Sequence, residues 1–297
     1  MNINLTNKDR LAKILFFVTA LVSIVTLLMI IIFLFMEGLP VFKSVSLKGF
    51  LFGEYWYPTS DPSDFGIFPL IIGSLSVTII SALISIPLGV LTAVYLAEIA
   101  SFKVREIVKP MVELLASLPS VVIGFFGMVV VAPFLQDTFD IATGLNLFNA
   151  SLMLAFMSVP TICSLSEDAI YNVPVALKEA SLALGATHFE TISRVIFPAS
   201  LSGISTAVIL GMSRAIGETM VVLMVAGGAA MVPGSLFDPV RPLPASIAAE
   251  MAEAPYRGEH YHALFAIGVV LFVFTLLFNL TADFLSNKYR QAGEASL

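Results

Sequence analysis

The sequence predicts an all-α polytopic membrane protein with six transmembrane helices. Of its 297 residues, 58% are hydrophobic and only 12% charged. A soluble domain is roughly half apolar and a quarter charged. The apolar residues fall in long blocks rather than in periodic stripes. A helix needs about 20 residues to cross a bilayer, and blocks of that order lie at 14–36, 67–97, 114–135, 147–166, 199–230 and 263–282. Only helices satisfy their own backbone hydrogen bonds in lipid. Blocks this long and uniform exclude a β-barrel, whose strands are short and alternating.

The first block lacks an A-x-A-like cleavage site and reads as a retained anchor rather than a signal peptide. Lysine and arginine then set the expected orientation. Lys8, Arg10, Lys13, Lys103, Arg105, Lys109, Lys178, Arg194, Lys288 and Arg290 fall on one side of a six-span arrangement. Only Lys43, Lys48, Arg241 and Arg257 fall on the other. The positive-inside rule puts both termini in the cytoplasm. Residues 1–66 are therefore expected to be a cytoplasmic segment, the first span and an outer loop. Residues 67–287 form the main transmembrane body, and 288–297 a cytoplasmic tail.

The outer loop 37–66 holds Phe50, Phe52, Tyr55, Trp56 and Tyr57. Aromatics there fit a headgroup belt, and a docking surface for an outside partner is the alternative. In the second span, Ser74, Thr78, Ser81 and Ser85 are spaced 4, 3 and 4 apart, on one helical face. They suit either close packing against a neighbouring helix or one wall of a solute path. Pro87 and Pro160 each remove a backbone donor, so both their helices can kink.

Several function classes are excluded. The net charge of −6 is spread over many loops and suggests no nucleic-acid partner. The single cysteine, Cys163, rules out an internal disulfide and a cysteine-based metal site. Glu259, His260 and His262 read as a solvated loop, since histidines at i and i+2 point apart on a helix; no metal and no cofactor are expected. No GxxxxGK[ST] loop occurs, so the chain shows no means of hydrolysing ATP itself. Neither a Ser/His/Asp arrangement nor a metalloprotease motif is evident.

The segment 172–198, NVPVALKEASLALGATHFETISRVIFP, predicts helix, glycine turn, helix on the cytoplasmic face. Pro174 suits a first turn. Val175 to Leu184 can form a short helix that Gly185 ends. Thr187-x-x-Glu190 is a capping box for a second helix. Ala176, Ala180 and Ala183 give the first helix a small-residue face. The spacing of Glu179-Ala180-Ser181, Gly185 and Val195-Ile196-Phe197-Pro198 resembles the EAA loop of ABC importer permeases, E-A-A, x3, G, x9, I-x-L-P. Ser181, Val195 and Phe197 depart from that pattern. The resemblance implies a type I ABC importer permease fold. It also implies that Glu179, Ala180 and Gly185 belong to a coupling helix docking in a separate ATP-hydrolysing subunit, so the chain itself is not an enzyme.

The stretch MSRAIGETMVV, 212–222, places Arg214 and Glu218 in an apolar run. A charge at mid-membrane is costly and faces a cavity or a partner. Four residues apart on a continuous helix, the two share a face, which suits either an internal ion pair or the lining of a solute path. SRAIGETMVV is similar to the R-A-[IL]-G-E-T-M signature of phosphate-specific transport permeases. Residues 65–98, 113–135 and 249–275 add to that likeness, which is greatest to the PstC type. This implies a substrate path lined by Arg214 and Glu218. It also implies a PstA-type sister permease as heterodimer partner, a PstB-type ATP-binding dimer, an extracytoplasmic PstS-type phosphate-binding protein, and a bacterial or archaeal cytoplasmic membrane. The alternatives are a permease for molybdate, sulfate or phosphonate, and a stand-alone ion-coupled transporter.

Overall fold

The structure, a computed structural model, describes the backbone of residues 7–294 and the side chains of residues 10–284. Lys8, Lys288, Arg290 and the tail side chains lie outside that range. In chain order the helices are α1 (Asn7–Gly38), α2 (Leu47–Phe52), α3 (Phe68–Val94), α4 (Phe102–Ser117), α5 (Ser120–Phe126), α6 (Ala132–Phe139) and α7 (Leu147–Tyr171). There follow α8 (Val175–Ala183), α9 (His188–Thr191), α10 (Phe197–Ile216), α11 (Met220–Val225), α12 (Leu243–Glu250) and α13 (Glu259–Glu294). Single π turns at Tyr95–Ile99, Gly127–Val131 and Ile192–Ile196 extend or join helices. Among the described residues, six stretches are long and apolar enough to cross a membrane: Arg10–Lys43, Phe68–Ile99, Ser120–Phe139, Leu147–Tyr171, His188–Ile216 and Glu259–Phe284.

Of the boundaries that differ from those expected, three have a local reason. The third span starts at Ser120 rather than at 114. Leu118 precedes Pro119 and is held extended (φ −63, ψ 134), as the proline ring demands of its neighbour. Residues 102–117 instead form the separate amphipathic helix α4. The fourth span runs past 166 to Tyr171, because Glu167 finds cationic partners and need not leave the helix. The fifth does not run unbroken to 230. It stops at Ile216, and α11 resumes only at Met220.

The bundle is organised on α7, which packs along α3 on one side and α10 on another. α13 lies against α10, and α1 against α13, so α1 is the most exposed span. Small residues let the inner helices approach closely. The fully buried Ile162 of α7 sits between Gly89 of α3 and Gly211 of α10. A β-carbon at either glycine would come within 2.8 or 2.6 Å of that side chain. Ser74, Thr78, Ser81 and Ser85 are all buried, which favours the packing reading of that face. α3 and α7 run on through Pro87 and Pro160, so neither proline ends its helix.

One end of the bundle is rich in loops. There the segment 39–67 folds into a cap of a 3-10 turn (Leu39–Lys43), α2 and a two-stranded ribbon, β1 (Trp56–Tyr57) with β2 (Asp64–Phe65). The aromatics divide by strand and helix periodicity. Phe50 and Trp56 are buried with Leu70, Leu243, Leu264 and Ile267, while Phe52, Tyr55 and Tyr57 stay exposed. A headgroup belt therefore cannot include Phe50 or Trp56. The opposite end carries α4 and the α8–α9 hairpin. Its core joins Ala93, Leu96, Ile170, Val173, Ile192 and Ile196.

Gly89→Ala tests the close approach. By helix propensity alone the change gains about 1 kcal/mol. The contact with Ile162 reverses the sign, and overpacking of this kind costs about 1–3 kcal/mol. The expected result is a lower melting temperature in detergent, with the loss reduced in an Ile162→Ala background.

Candidate functional site

The stretch 212–222 is built around a break in the helix. Gly217 ends α10, since glycine is a poor helix former. The Glu218 carboxylate then accepts a hydrogen bond from the Val221 backbone N–H at 3.3 Å and so starts α11. Because α10 stops at Ile216, Arg214 and Glu218 do not share a continuous helical face. Among the described residues no ion pair involves either of them. Arg214 is exposed on the last turn of α10, and Glu218 is half-buried. Next to Arg214, the Ser213 hydroxyl donates to the Ile209 carbonyl at 2.8 Å and to the Asn279 side chain of α13.

Glu218 borders a small cavity of about 10 Å³ with Ser74, Thr78, Leu154, Ala215 and Val222. Ser74 lies six residues into α3 and Leu154 seven residues into α7. At 1.5 Å per residue, the cavity is therefore roughly 10 Å below the loop-rich ends of those helices. Ser74 Oγ accepts the Leu243 N–H at 2.8 Å, and Thr78 Oγ1 donates to the Ser74 carbonyl at 2.8 Å. The site is thus bordered by α3, α7, the end of α10, α11 and the start of α12.

The hairpin at the opposite end matches its expected form. α8 covers Val175–Ala183, and Gly185 follows with φ +85. Thr187 Oγ1 accepts the Glu190 N–H at 3.3 Å, while Glu190 accepts the Thr187 N–H at 2.9 Å, completing the capping box. Glu179, Ala180, Gly185 and the alanines 176 and 183 are all exposed. So are large apolar side chains, with Leu184 at 90% and Phe189 at 76%. The hairpin is not loose. Leu177 packs into the apolar cluster at this end, Lys178 pairs with Glu98, and Ser181 Oγ lies 2.9 Å from Thr191 Oγ1.

Two charge clusters escaped the sequence reading. Glu167 of α7 is 1% exposed and pairs with Arg105 at 2.9 Å and Lys109 at 3.2 Å from α4. Burial pulls the Lys109 pKa down, but Glu167 and Asp168 outweigh it and hold the ammonium above its ordinary value. The available signal was a pair of carboxylates just past an apolar block, facing a basic inter-span segment. At the loop-rich end, Glu250 accepts the Trp56 indole N–H at 3.0 Å, pairs with Arg241 and contacts His260 Nε2 at 2.8 Å. These residues border a cavity of about 830 Å³. His260 and His262 therefore do not belong to a solvated loop. They start α13, and His262 Nδ1 lies 2.7 Å from the Glu37 carbonyl. No local motif links residues 56, 241, 250 and 260, so only the fold reveals that cluster.

Residues 85–291 match the family described as binding-protein-dependent transport system inner membrane component, and the chain belongs to that family. It is a multi-pass membrane protein and a transport component. It is 40% identical to a probable ABC transporter permease protein, YqgH, of Bacillus subtilis, covering 91% of this chain and 88% of the relative. It is 37% identical to the phosphate transport system permease protein PstC of Mesorhizobium japonicum, over 79% and 77% of the two chains. The PstC of Haemophilus influenzae is 30% identical over 92% of each. Among solved structures, a bacterial alginate ABC transporter in complex with a periplasmic protein matches with a TM-score of 0.65, at 18% identity, covering 95% of this chain and 96% of that one. The methionine transporter MetNI matches at a TM-score of 0.56 and 23% identity, over 73% of this chain and 93% of that one. These structures share the fold.

Glu250→Leu tests the loop-rich cluster. It leaves Arg241 without its carboxylate and the Trp56 N–H without an acceptor. A buried donor stripped of its partner costs about 1–3 kcal/mol. Trp56 is the sole tryptophan, so its fluorescence reports the site directly. The expected outcome is a shifted emission maximum and faster proteolysis within 226–258.

Proposed function

We propose that this chain is a membrane-spanning permease subunit of an ATP-driven importer of inorganic phosphate. The observation that carries the reading is Arg214. It is exposed in the last turn of α10, within the fifth membrane-spanning stretch, and no carboxylate of the described chain pairs with it. A charge within a membrane span faces a cavity or a partner. Phosphate permeases among the relatives support the choice of anion.

Arginine's planar fork of donors suits phosphate oxygens. Glu218 spends one carboxylate oxygen on the Val221 N–H. The other is available to accept a hydrogen bond from the P–OH that phosphate keeps at neutral pH. Sulfate has no such proton and meets only repulsion. In this reading the cavity below Ser74 and Thr78 is closed at rest and widens during transport.

The hairpin supplies the link to energy. Exposed Glu179, Ala180, Leu184 and Phe189 form the surface on which a separate PstB-type ATPase docks. A PstA-type sister permease completes the path, and a PstS-type binding protein delivers phosphate at the loop-rich end. The end carrying α8 then faces the cytoplasm with both termini, as the lysine and arginine bias favours. Residues 67–287 form the permease unit.

Arg214→Lys offers a point charge in place of two parallel donors. Losing one charged hydrogen bond of about 1.5–3 kcal/mol should cut phosphate uptake roughly 10- to 100-fold, with assembly intact. The double variant Arg214→Gln/Glu218→Gln should assemble with the ATPase, hydrolyse ATP and still move no phosphate in vesicles. Near-normal uptake by it would overturn the solute-path assignment.

Gly185→Pro tests the docking surface. Proline cannot reach φ +85 and also removes the N–H that bonds the Leu182 carbonyl at 2.9 Å. The protein should insert normally but no longer co-purify with its ATPase.

A further inference from the structure

Among the attachments of the hairpin to the transmembrane body is an ion pair. Glu98 lies in the π turn that ends the second span, with its side chain 8% exposed. It pairs with Lys178, one residue before Glu179 on α8. Beside it, Leu177 packs into the apolar cluster of Ala93, Leu96 and Ile196. The Ser181–Thr191 contact ties α8 to α9.

Two of the spans next to this hairpin meet it through π turns, Tyr95–Ile99 on α3 and Ile192–Ile196 below α10. Such turns are rare and concentrate at functional places. Beyond its π turn, α3 is one uninterrupted helix. Residues 74 and 98 are separated by roughly 36 Å along it. At its far end Ser74 and Thr78 border the Glu218 cavity. Apolar contacts such as that of Leu177 resist compression, but they slide or part under tension. A charged hydrogen bond is directional and about twice as strong as a neutral one, and it can pull.

We propose that Glu98 and Lys178 are positioning residues that transmit movement of the hairpin to α3, and through α3 to the Ser74–Thr78 wall of the site. The proposal rests on the transport reading above. It does not require that phosphate be the solute.

The experiment uses the complete transporter with its ATPase in vesicles. One readout is inorganic phosphate moved per ATP hydrolysed. The other is independent of the solute: labelling by a thiol reagent of Thr78→Cys in a Cys163→Ala background, with and without ATP and vanadate. Glu98→Gln and Lys178→Gln should keep the ATPase bound and hydrolysing. Each should lower phosphate per ATP, and the nucleotide-dependent change in labelling, about fivefold or more. The charge swap Glu98→Lys/Lys178→Glu should restore most of both. An undiminished labelling response in the single variants overturns the proposal. So does a loss that the swap fails to recover in an assembled complex, or a loss that merely follows loss of assembled complex. A labelling response that obeys the pair while no phosphate moves would uphold the link and remove the phosphate reading instead.

Discussion

Backbone that leaves a helix inside a bilayer must be covered by protein or must line a water-filled cavity. This chain breaks its fifth span at Gly217–Thr219, and much of the surrounding structure answers to that break. The Glu218 carboxylate satisfies one freed donor, the Val221 N–H. α11 then packs against α5 and α7, so close that a β-carbon on Gly124 would lie 2.9 Å from the Met224 sulfur. Past α11, Gly227 and Gly228 take positive φ, and the Ala226 carbonyl accepts the Val240 N–H at 2.8 Å. A helix running straight on would have needed none of this. It would also have carried Glu218 past the cavity instead of into its wall.

The same economy explains why α7 is the axis. Glycines on α3 and α10 face Ile162, and Ala169 meets Gly203 of α10 just as closely. Ser151 and Ser158 on the inner faces are satisfied within their own helix by carbonyls four residues back. The charges are gathered toward the ends. Glu167 with Arg105 and Lys109, and Glu98 with Lys178, hold α4 and the hairpin to the body at one end. Glu250 with Arg241, His260 and Trp56 holds the cap at the other. Arg214 lies in the apolar run of the fifth span, and among the described residues it has no ion-pair partner. That combination, rather than any single motif, makes the neighbourhood of the break the candidate path.

Much of this was legible from local signals. Six apolar blocks predict six spans, because lipid demands both length and apolarity from every segment that crosses it. The hairpin was legible because each of its parts is set by residues close in sequence: Gly185 for a left-handed turn, Thr187 with Glu190 for a cap. Arg214 and Glu218 stood out because charges are rare in such runs. Their relation did not. A spacing of four implies one face only if the helix continues, and the combined effect of Gly217 and a capping carboxylate is settled by what α5, α7 and α12 offer in return.

By itself, then, the sequence determined the all-helical membrane class, the number of spans, the hairpin and the identity of the two unusual charges. Those features depend on composition and on contacts between near neighbours. Tertiary structure alone decided that the fifth span breaks, that Phe50 and Trp56 are core rather than interfacial residues, and that residues 56, 241, 250 and 260 form one cluster. It likewise decided that Lys178 meets Glu98, 80 residues away. The physical reason is common to all of them. A buried polar group or an interrupted backbone is stable only with a partner, and in this chain those partners come from segments whose proximity no local pattern records.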